Sequence, residues 1–299
     1  MKNLVIIMIT LFLGLNLNAQ KIKPYVLGAI SNKTMAATKA MVKTNLQSSG
    51  LKVIGEYMPA KDSRRWIMAV TSSDLASAVK REGGLRGFAA VLRVAITKEG
   101  SNVNITYTNP FYWGNAYFQE DFPKVEANYK AFNDKLIVAM KKSGTYIGTY
   151  FGSEKGVDID DVREYQYMFG MPEFDDIVTL GEYSSFDAAK SRLDANIKAG
   201  ISGLKLVYAY EIPGTKLKLY GFAINGINGE SSFLPIIDLG TPKQTAFLPY
   251  EVLVNDKEVV MLHGRYRIAL AFPDLSMGTF SKIMSTPGDI EEALKKLCK

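Results

Sequence analysis

The chain predicts an α+β fold: two tandem modules, each an antiparallel sheet with helices packed on one face. Three observations carry this. The segment Ser49-Gly50-Leu51-Lys52-Val53-Ile54-Gly55-Glu56-Tyr57 returns as Ser202-Gly203-Leu204-Lys205-Leu206-Val207-Tyr208-Ala209-Tyr210, 153 residues on and without a gap. The same shift lays Leu27-Gly28 on Leu180-Gly181 and Ala36 on Ala189. In both places the apolar spacing runs from strand to helix, breaks at a glycine, and returns to strand.

The elements follow in chain order. Met1-Lys2-Asn3 and the apolar run Leu4 to Leu15 precede Asn16-Leu17-Asn18-Ala19. A charged start, a short greasy stretch and a small residue at the cut describe a signal peptide over residues 1–19. The run is shorter than the roughly 20 apolar residues a membrane span requires. No cysteine follows the expected cut, so no lipid anchor is expected there. The chain is therefore expected to be exported, to the periplasm or beyond the cell.

Residues 20–144 form the first module. Tyr25 to Ile30 is a strand, and Thr34 to Gln47 a helix with Met35, Thr38, Met41, Val42 and Leu46 at helical spacing. Gly50 suits the left-handed position after a helix end, and Leu51 to Tyr57 resumes extended chain. Val91 to Ile96 and Val103 to Thr108, around Glu99-Gly100, read as a hairpin that ends at Asn109-Pro110. A closing helix starts at Pro123 and carries Val125, Tyr129, Phe132, Leu136 and Met140 inward as far as Ser143-Gly144. Residues 145–176 read as an ordered linker, because Tyr146, Tyr150, Phe151, Tyr165, Tyr167 and Phe169 are too aromatic for a loose tether. Within it Asp158 caps a short helix.

Residues 177–299 form the second module. Ile177 to Tyr183 is a strand; Ser184 or Ser185 caps a helix through about Lys198, with Phe186, Ala189, Leu193 and Ile197 inward. Val252 to Val254 and Val259 to Leu262 are extended, with a turn near His263-Gly264. The alternation Tyr266-Arg267-Ile268-Ala269-Leu270 predicts a further strand to Phe272. A helix from Pro287, with Ile290, Ala293, Leu294 and Leu297, closes the module. This places the second halves 163 to 164 residues apart, with about ten extra residues in Asn225 to Leu248. The modules are expected to pack about a pseudo-twofold axis.

Composition removes several classes of function. There are 36 basic and 30 acidic residues in 299, a net charge of +6, or +5 once Lys2 leaves with the leader. The basic residues are scattered, which argues against nucleic acid as a partner. Cys298 is the only cysteine, so no internal disulfide forms. No stretch after the leader is long and apolar enough to cross a membrane.

At this point the residues resemble a known family. Tyr183-Ser184-Ser185-Phe186-Asp187-Ala188-Ala189, Phe247-Leu248-Pro249-Tyr250-Glu251-Val252-Leu253-Val254 and Ala271-Phe272-Pro273-Asp274-Leu275-Ser276-Met277 resemble the opening helix, the Leu-Pro-Cys strand and the closing Asp-Pro turn of domain-of-unknown-function family 302. The likeness covers the second module, and the first follows through the internal repeat. It implies an antiparallel sheet with helices on one face and no established activity. The family's cysteine position is Tyr250 here, so chemistry resting on that thiol is absent.

No catalytic, metal or cofactor motif stands out. A triad needs a base beside a serine or cysteine, and the single histidine, His263, sits at an expected turn tip. Gly229-Glu230-Ser231-Ser232-Phe233 lacks the second glycine of a nucleophile elbow. One histidine and a terminal cysteine do not make a zinc site. Glu154, Asp158, Asp160 and Asp161 lack the glycine and distal glutamate of a calcium loop. The glycines of Asn225 to Gly229 read as turns, with no helix directly after them for a phosphate.

The unusual stretch is Tyr107 to Phe122, seven aromatics in sixteen residues. Tyrosine and tryptophan join apolar area to a polar tip, which suits a ligand cleft or a partner surface. The expected ligand-binding residues are Tyr107, Asn109, Phe111, Tyr112, Trp113 and Tyr117. The expected function is non-enzymatic binding of a small apolar or aromatic ligand, or of an envelope protein partner. A carboxylate-dependent hydrolase and a structural or assembly protein are the alternatives.

Overall fold

The computed structural model describes residues 20–299; the expected leader, residues 1–19, lies outside them. The first half runs β1 (Lys21–Ile22), β2 (Tyr25–Ser31), α1 (Met35–Ser48), β3 (Lys52–Tyr57), β4 (Arg65–Thr71), α2 (Ser73–Glu82), β5 (Leu92–Glu99), β6 (Asn102–Thr108), α3 (Pro110–Phe118), α4 (Phe122–Lys142) and β7 (Thr145–Phe151). The second half runs β8 (Val157–Asp158), α5 (Ile159–Arg163), β9 (Ile177–Glu182), α6 (Phe186–Ala199), β10 (Leu204–Glu211), β11 (Leu217–Ile224), α7 (Glu230–Ile237), β12 (Tyr250–Asn255), β13 (Glu258–Leu262), α8 (Gly264–Ala271), α9 (Met277–Phe280) and α10 (Thr286–Lys295).

These strands make two antiparallel sheets with helices packed against them. One has the order β3-β4-β5-β6-β2-β7, the other β10-β11-β12-β13-β9; β1 pairs with β8 in a separate ribbon. The shared order extends to irregularities. Pairing of β3 with β4 skips Ile54, and pairing of β10 with β11 skips Val207, the position 153 residues on. Bulges add local twist and aim the strand, so one at the same place bends both edges alike.

Local chemistry explains the helix boundaries. Thr34 caps α1 by accepting from the Ala37 N–H at 3.3 Å, and Ser185 caps α6 through the Ala188 N–H at 3.2 Å. Gly50, at φ +82°, reverses the chain after α1 where a side chain would be strained. Pro123 and Pro287 sit in the first turns of α4 and α10, where a missing N–H costs nothing.

Strand alternation divides each sheet into a helix face and a seam face. In the first sheet Leu92, Val94, Ile96, Val103, Ile105 and Tyr107 share the face against α1 and α4. Arg93, Ala95, Thr97, Asn104, Thr106 and Thr108 share the other, and both sets are buried. The second half covers that polar face. The turn Thr245–Phe247 lies on β4, β5 and β6, while its counterpart Gly84–Ala90 lies on β11 and β12. At Gly87 the approach is close: a Cβ would stand 2.6 Å from Leu253 Cδ1. β3 and β10 meet edge to edge, and a Cβ on Gly55 would fall 2.2 Å from the Val207 carbonyl oxygen.

Several expectations need correction. Tyr266 to Phe272 is not a strand; Gly264–Ala271 is α8, capped by His263. Its alternation carried no face information, because from Tyr266 to Ala271 every residue is buried. The second hairpin turns instead at Asp256-Lys257, between β12 and β13. The shift of 163 taken from Pro110 and Pro273 therefore fails, since Asn109 and His263, which cap α3 and α8, are 154 apart, whereas Pro123 and Pro287 do open the closing helices α4 and α10 as expected. A helix, α7, does start directly after Gly229. Its first residue is a buried carboxylate, Glu230, which opposes an anion there. In the segment read as a linker, Thr145–Phe151 is β7, the edge strand beside β2. The strands β4 and β11 and the helix α2 had no counterpart in the sequence reading.

Among the described residues no helix is long and apolar enough to cross a membrane.

Candidate functional site

The aromatic stretch folds as helix α3 and is consumed by packing. Asn109 caps it, accepting from the Phe111 N–H at 3.1 Å and donating from Nδ2 to the Lys23 carbonyl at 2.7 Å. Trp113 Nε1–H donates to the Pro24 carbonyl at 2.9 Å, and Tyr117 stacks on Phe174 with ring centroids 5.5 Å apart. Tyr107, Tyr112, Trp113 and Tyr117 are buried and offer no surface to a ligand. A helix apolar on all sides needs cover all round, and α4 and the Gly84–Ala90 turn supply it together with α5 and, from the second half, α8. Of the six expected residues, Asn109 and Phe111 border a cleft, one of about 450 Å³ shared with Ile22, Phe122, Tyr150 and Arg163. The sequence gives the amount of aromatic surface but not the partner that takes it.

The tyrosines of this region do specific work at the seam. Helix α8 ends with carbonyls that have no partner within the helix. Tyr165 donates to the Ala269 carbonyl at 2.9 Å, Tyr112 to Leu270 at 2.9 Å, and Tyr25 to Ala271 at 3.0 Å. Three hydroxyls from the first half and the connecting segment thus finish the last turn of a helix in the second.

A candidate ligand site lies on the same seam. A cleft of about 480 Å³ runs between the end of β7 and the Ile236 to Gln244 stretch, closed on a third side by the chain from Phe272 to Thr279. Phe151, Ile237 and Phe272 form apolar wall, and Lys23, Ser153, Gln244 and Asp274 bring polar groups. Asp274 fixes one end, accepting from the Ser153 hydroxyl at 3.0 Å and the Glu154 N–H at 2.6 Å. Two large apolar side chains on its lining remain uncovered: Leu239 is 68% exposed and Tyr150 51%. Neither belongs to a periodic pattern, so the sequence offered no signal for them.

The titratable groups around the seam are arranged as anchors. Glu230, 1% exposed, accepts from the Tyr57 hydroxyl at 2.9 Å and from the N–H groups of Ala60 at 2.9 Å and Ile224 at 3.2 Å. Burial pushes its carboxyl up to about 7, against the opposing pull of these hydrogen bonds. Asp238 pairs with Arg65 Nη1 and accepts from Gln244 N–H at 2.6 Å and the Thr245 hydroxyl at 2.7 Å. Asp62 takes Arg65 Nε at 3.3 Å, and the Arg64 guanidinium holds it below the usual carboxylate range. The carboxyl pushed toward neutrality is thus sealed, and Asp62, which does not line the cleft, is held ionised by arginine. His263 caps α8 by accepting from the Arg265 N–H at 3.1 Å, and burial lowers its pKa. Among the described residues no group of three or more His, Cys, Asp or Glu is placed to hold a metal ion.

Neither the sequence profile of any known family nor any curated protein matches the chain. Among solved structures it is similar to an uncharacterized conserved protein DUF302 from Bacillus stearothermophilus, at 14% identity and a TM-score of 0.35, over 40% of this chain and 97% of that one.

Proposed function

We propose that this is an exported, non-catalytic binding protein, built from two DUF302-like modules of common origin, that holds a small amphipathic ligand in the cleft on their seam. The tandem reading is supported by the common strand order of the two sheets, the bulge repeated at a shift of 153, and the reciprocal covering of each seam face. The ligand reading rests on one observation: the 480 Å³ cleft keeps Leu239 and Tyr150 uncovered beside a few polar groups. Ligand sites are of this size, and here the apolar wall of Phe151, Ile237 and Phe272 faces an equally extensive polar side with Lys23, Ser153, Glu154, Gln244 and Asp274. The cleft replaces the aromatic helix as the binding site, and Trp113 and Tyr112 become structural.

Native mass spectrometry of protein taken gently from its own envelope tests this. A stoichiometric extra mass in the wild type, lost in the double variant Leu239→Asp/Tyr150→Ala while its thermal unfolding is unchanged, supports the assignment. A bound mass that survives the double substitution removes the site. An apo protein that also fails to take up fatty acids or small aromatics when they are supplied removes the function.

A further inference from the structure

Two arginines lie in the centre of the seam. Arg93, on β5, is 1% exposed, and Arg267, on α8, is 3% exposed. Arginine does not lose its proton in proteins, so both carry full charge. Arg93 Nη2 is paired with Glu251 Oε2, and the Tyr208 hydroxyl donates to the other oxygen of that carboxylate. Arg93 and Glu251 occupy corresponding places in their sheets, opposite Ala69 of β4 and Gly221 of β11. Arg267 has no carboxylate within salt-bridge distance among the described residues. Its Nη2 donates to the Phe247 carbonyl at 2.5 Å, and its guanidinium lies 4.6 Å from the centroid of the Trp113 ring.

The charge count is unbalanced: two buried guanidinium groups share one carboxylate. The donors are in excess as well. Arg93 Nε and Nη1, Arg267 Nη1, and the hydroxyls of Tyr117 and Tyr250 have no acceptor among the protein atoms. These groups share one neighbourhood. Arg267 lies over Trp113, whose ring packs edge-on against Tyr117 with centroids 5.7 Å apart, and it donates to Phe247, whose ring packs edge-on against Tyr250 at 6.2 Å. The Arg93 backbone is tied to Thr108, one residue before the cap of α3. An uncompensated buried charge is strongly destabilising, and a face against Trp113 offsets only part of it. Other carboxylates at the seam are committed elsewhere: Asp238 to Arg65, and Glu230 to Tyr57, Ala60 and Ile224.

We propose that this cluster binds one small monovalent inorganic anion of the halide class between Arg267, Arg93 and the hydroxyls of Tyr117 and Tyr250, as a structural ion that joins the two halves. The ion supplies the missing negative charge and accepts from donors that the chain leaves unmet. Water meets the donors but not the charge, which separates the two readings. The ion belongs to the interior and is independent of any ligand in the open cleft.

Bromide is the probe. Crystals grown in sodium bromide should show one strong anomalous peak beside Arg267 Nη1 and the Tyr117 hydroxyl. In solution, halide about a hundredfold above its dissociation constant should raise Tm by roughly 5 °C over sodium gluconate at equal ionic strength. Arg267→Met, which removes the excess charge, should abolish that halide response. Tyr117→Phe, which deletes one donor at constant shape, should weaken it by several-fold in apparent affinity and keeps the test available if the arginine variant fails to fold. Ordered water without an anomalous peak, equal Tm in bromide and gluconate, or an undiminished response in either variant overturns the proposal.

Discussion

Glu230 gives the seam a measurable dependence on pH. The carboxyl is buried at the start of α7 and holds Tyr57 and the Ala60 N–H of the first half. Its folded pKa is about 7, against 4.5 for the ordinary group. Between those values the folded chain binds a proton that the unfolded chain does not, so stability falls as pH rises through the window. The contribution is fully present below about pH 4.5 and gone above about pH 7. One pKa unit corresponds to about 1.4 kcal/mol, so the whole loss is about 3 kcal/mol. The assay is urea unfolding of wild type and Glu230→Gln at closely spaced pH values. Glutamine costs a hydrogen bond at the Ala60 N–H, but that cost does not titrate. The stability difference, wild type minus variant, should therefore decline by about 1.4 kcal/mol per pH unit across the window. A difference that stays flat, or that grows with pH, refutes the assignment of a raised pKa to this group.

Two further predictions probe the same seam. Glu251→Leu leaves Arg93 buried without its carboxylate and should cost about 3–5 kcal/mol in urea unfolding, while Arg93→Met/Glu251→Leu together should recover most of that loss. Tyr112→Phe removes the hydroxyl that meets the Leu270 carbonyl at the end of α8 and should cost about 1–3 kcal/mol by thermal unfolding, with no change in ligand binding at the cleft.

How much was legible can be argued from single elements. Thr34, Gly50, Ser185, Pro123 and Pro287 act on backbone within three residues of themselves, so the helices they bound could be read directly. The repeat of Ser49 to Tyr57 at Ser202 to Tyr210 was equally plain, and these segments are β3 and β10, end strands of the two sheets. Helix α8 was misread because burial on every side erases the period that separates helix from strand. Strands β4 and β11 escaped for a related reason: from Ile67 to Thr71 and from Leu219 to Ile224 every residue is buried, so no polar alternation marks them.

The candidate site was less legible. The sequence announced Tyr107 to Phe122 as exceptional and left open whether ligand, partner or core would take its surface. The chain's own core takes it, with Tyr129 of α4 against Phe118 and, from the second half, Arg267 over Trp113 and the end of α8 on Tyr112. Leu239 and Tyr150 show the converse. As residues they are ordinary, and they gain interest only because the folded chain leaves them uncovered beside a cleft.

The sequence by itself determined the antiparallel sheets with their helices and the apolar face of the strands that alternate, because these follow from spacing and from capping within a few residues. The tertiary structure alone decided the fate of the other face. Arg93, Thr97, Asn104, Thr106 and Thr108 alternate with apolar residues as a solvent-facing row does, yet all are buried. Alternation reports that the two faces differ in polarity. What covers the polar face depends on residues more than a hundred positions away, which no local pattern encodes.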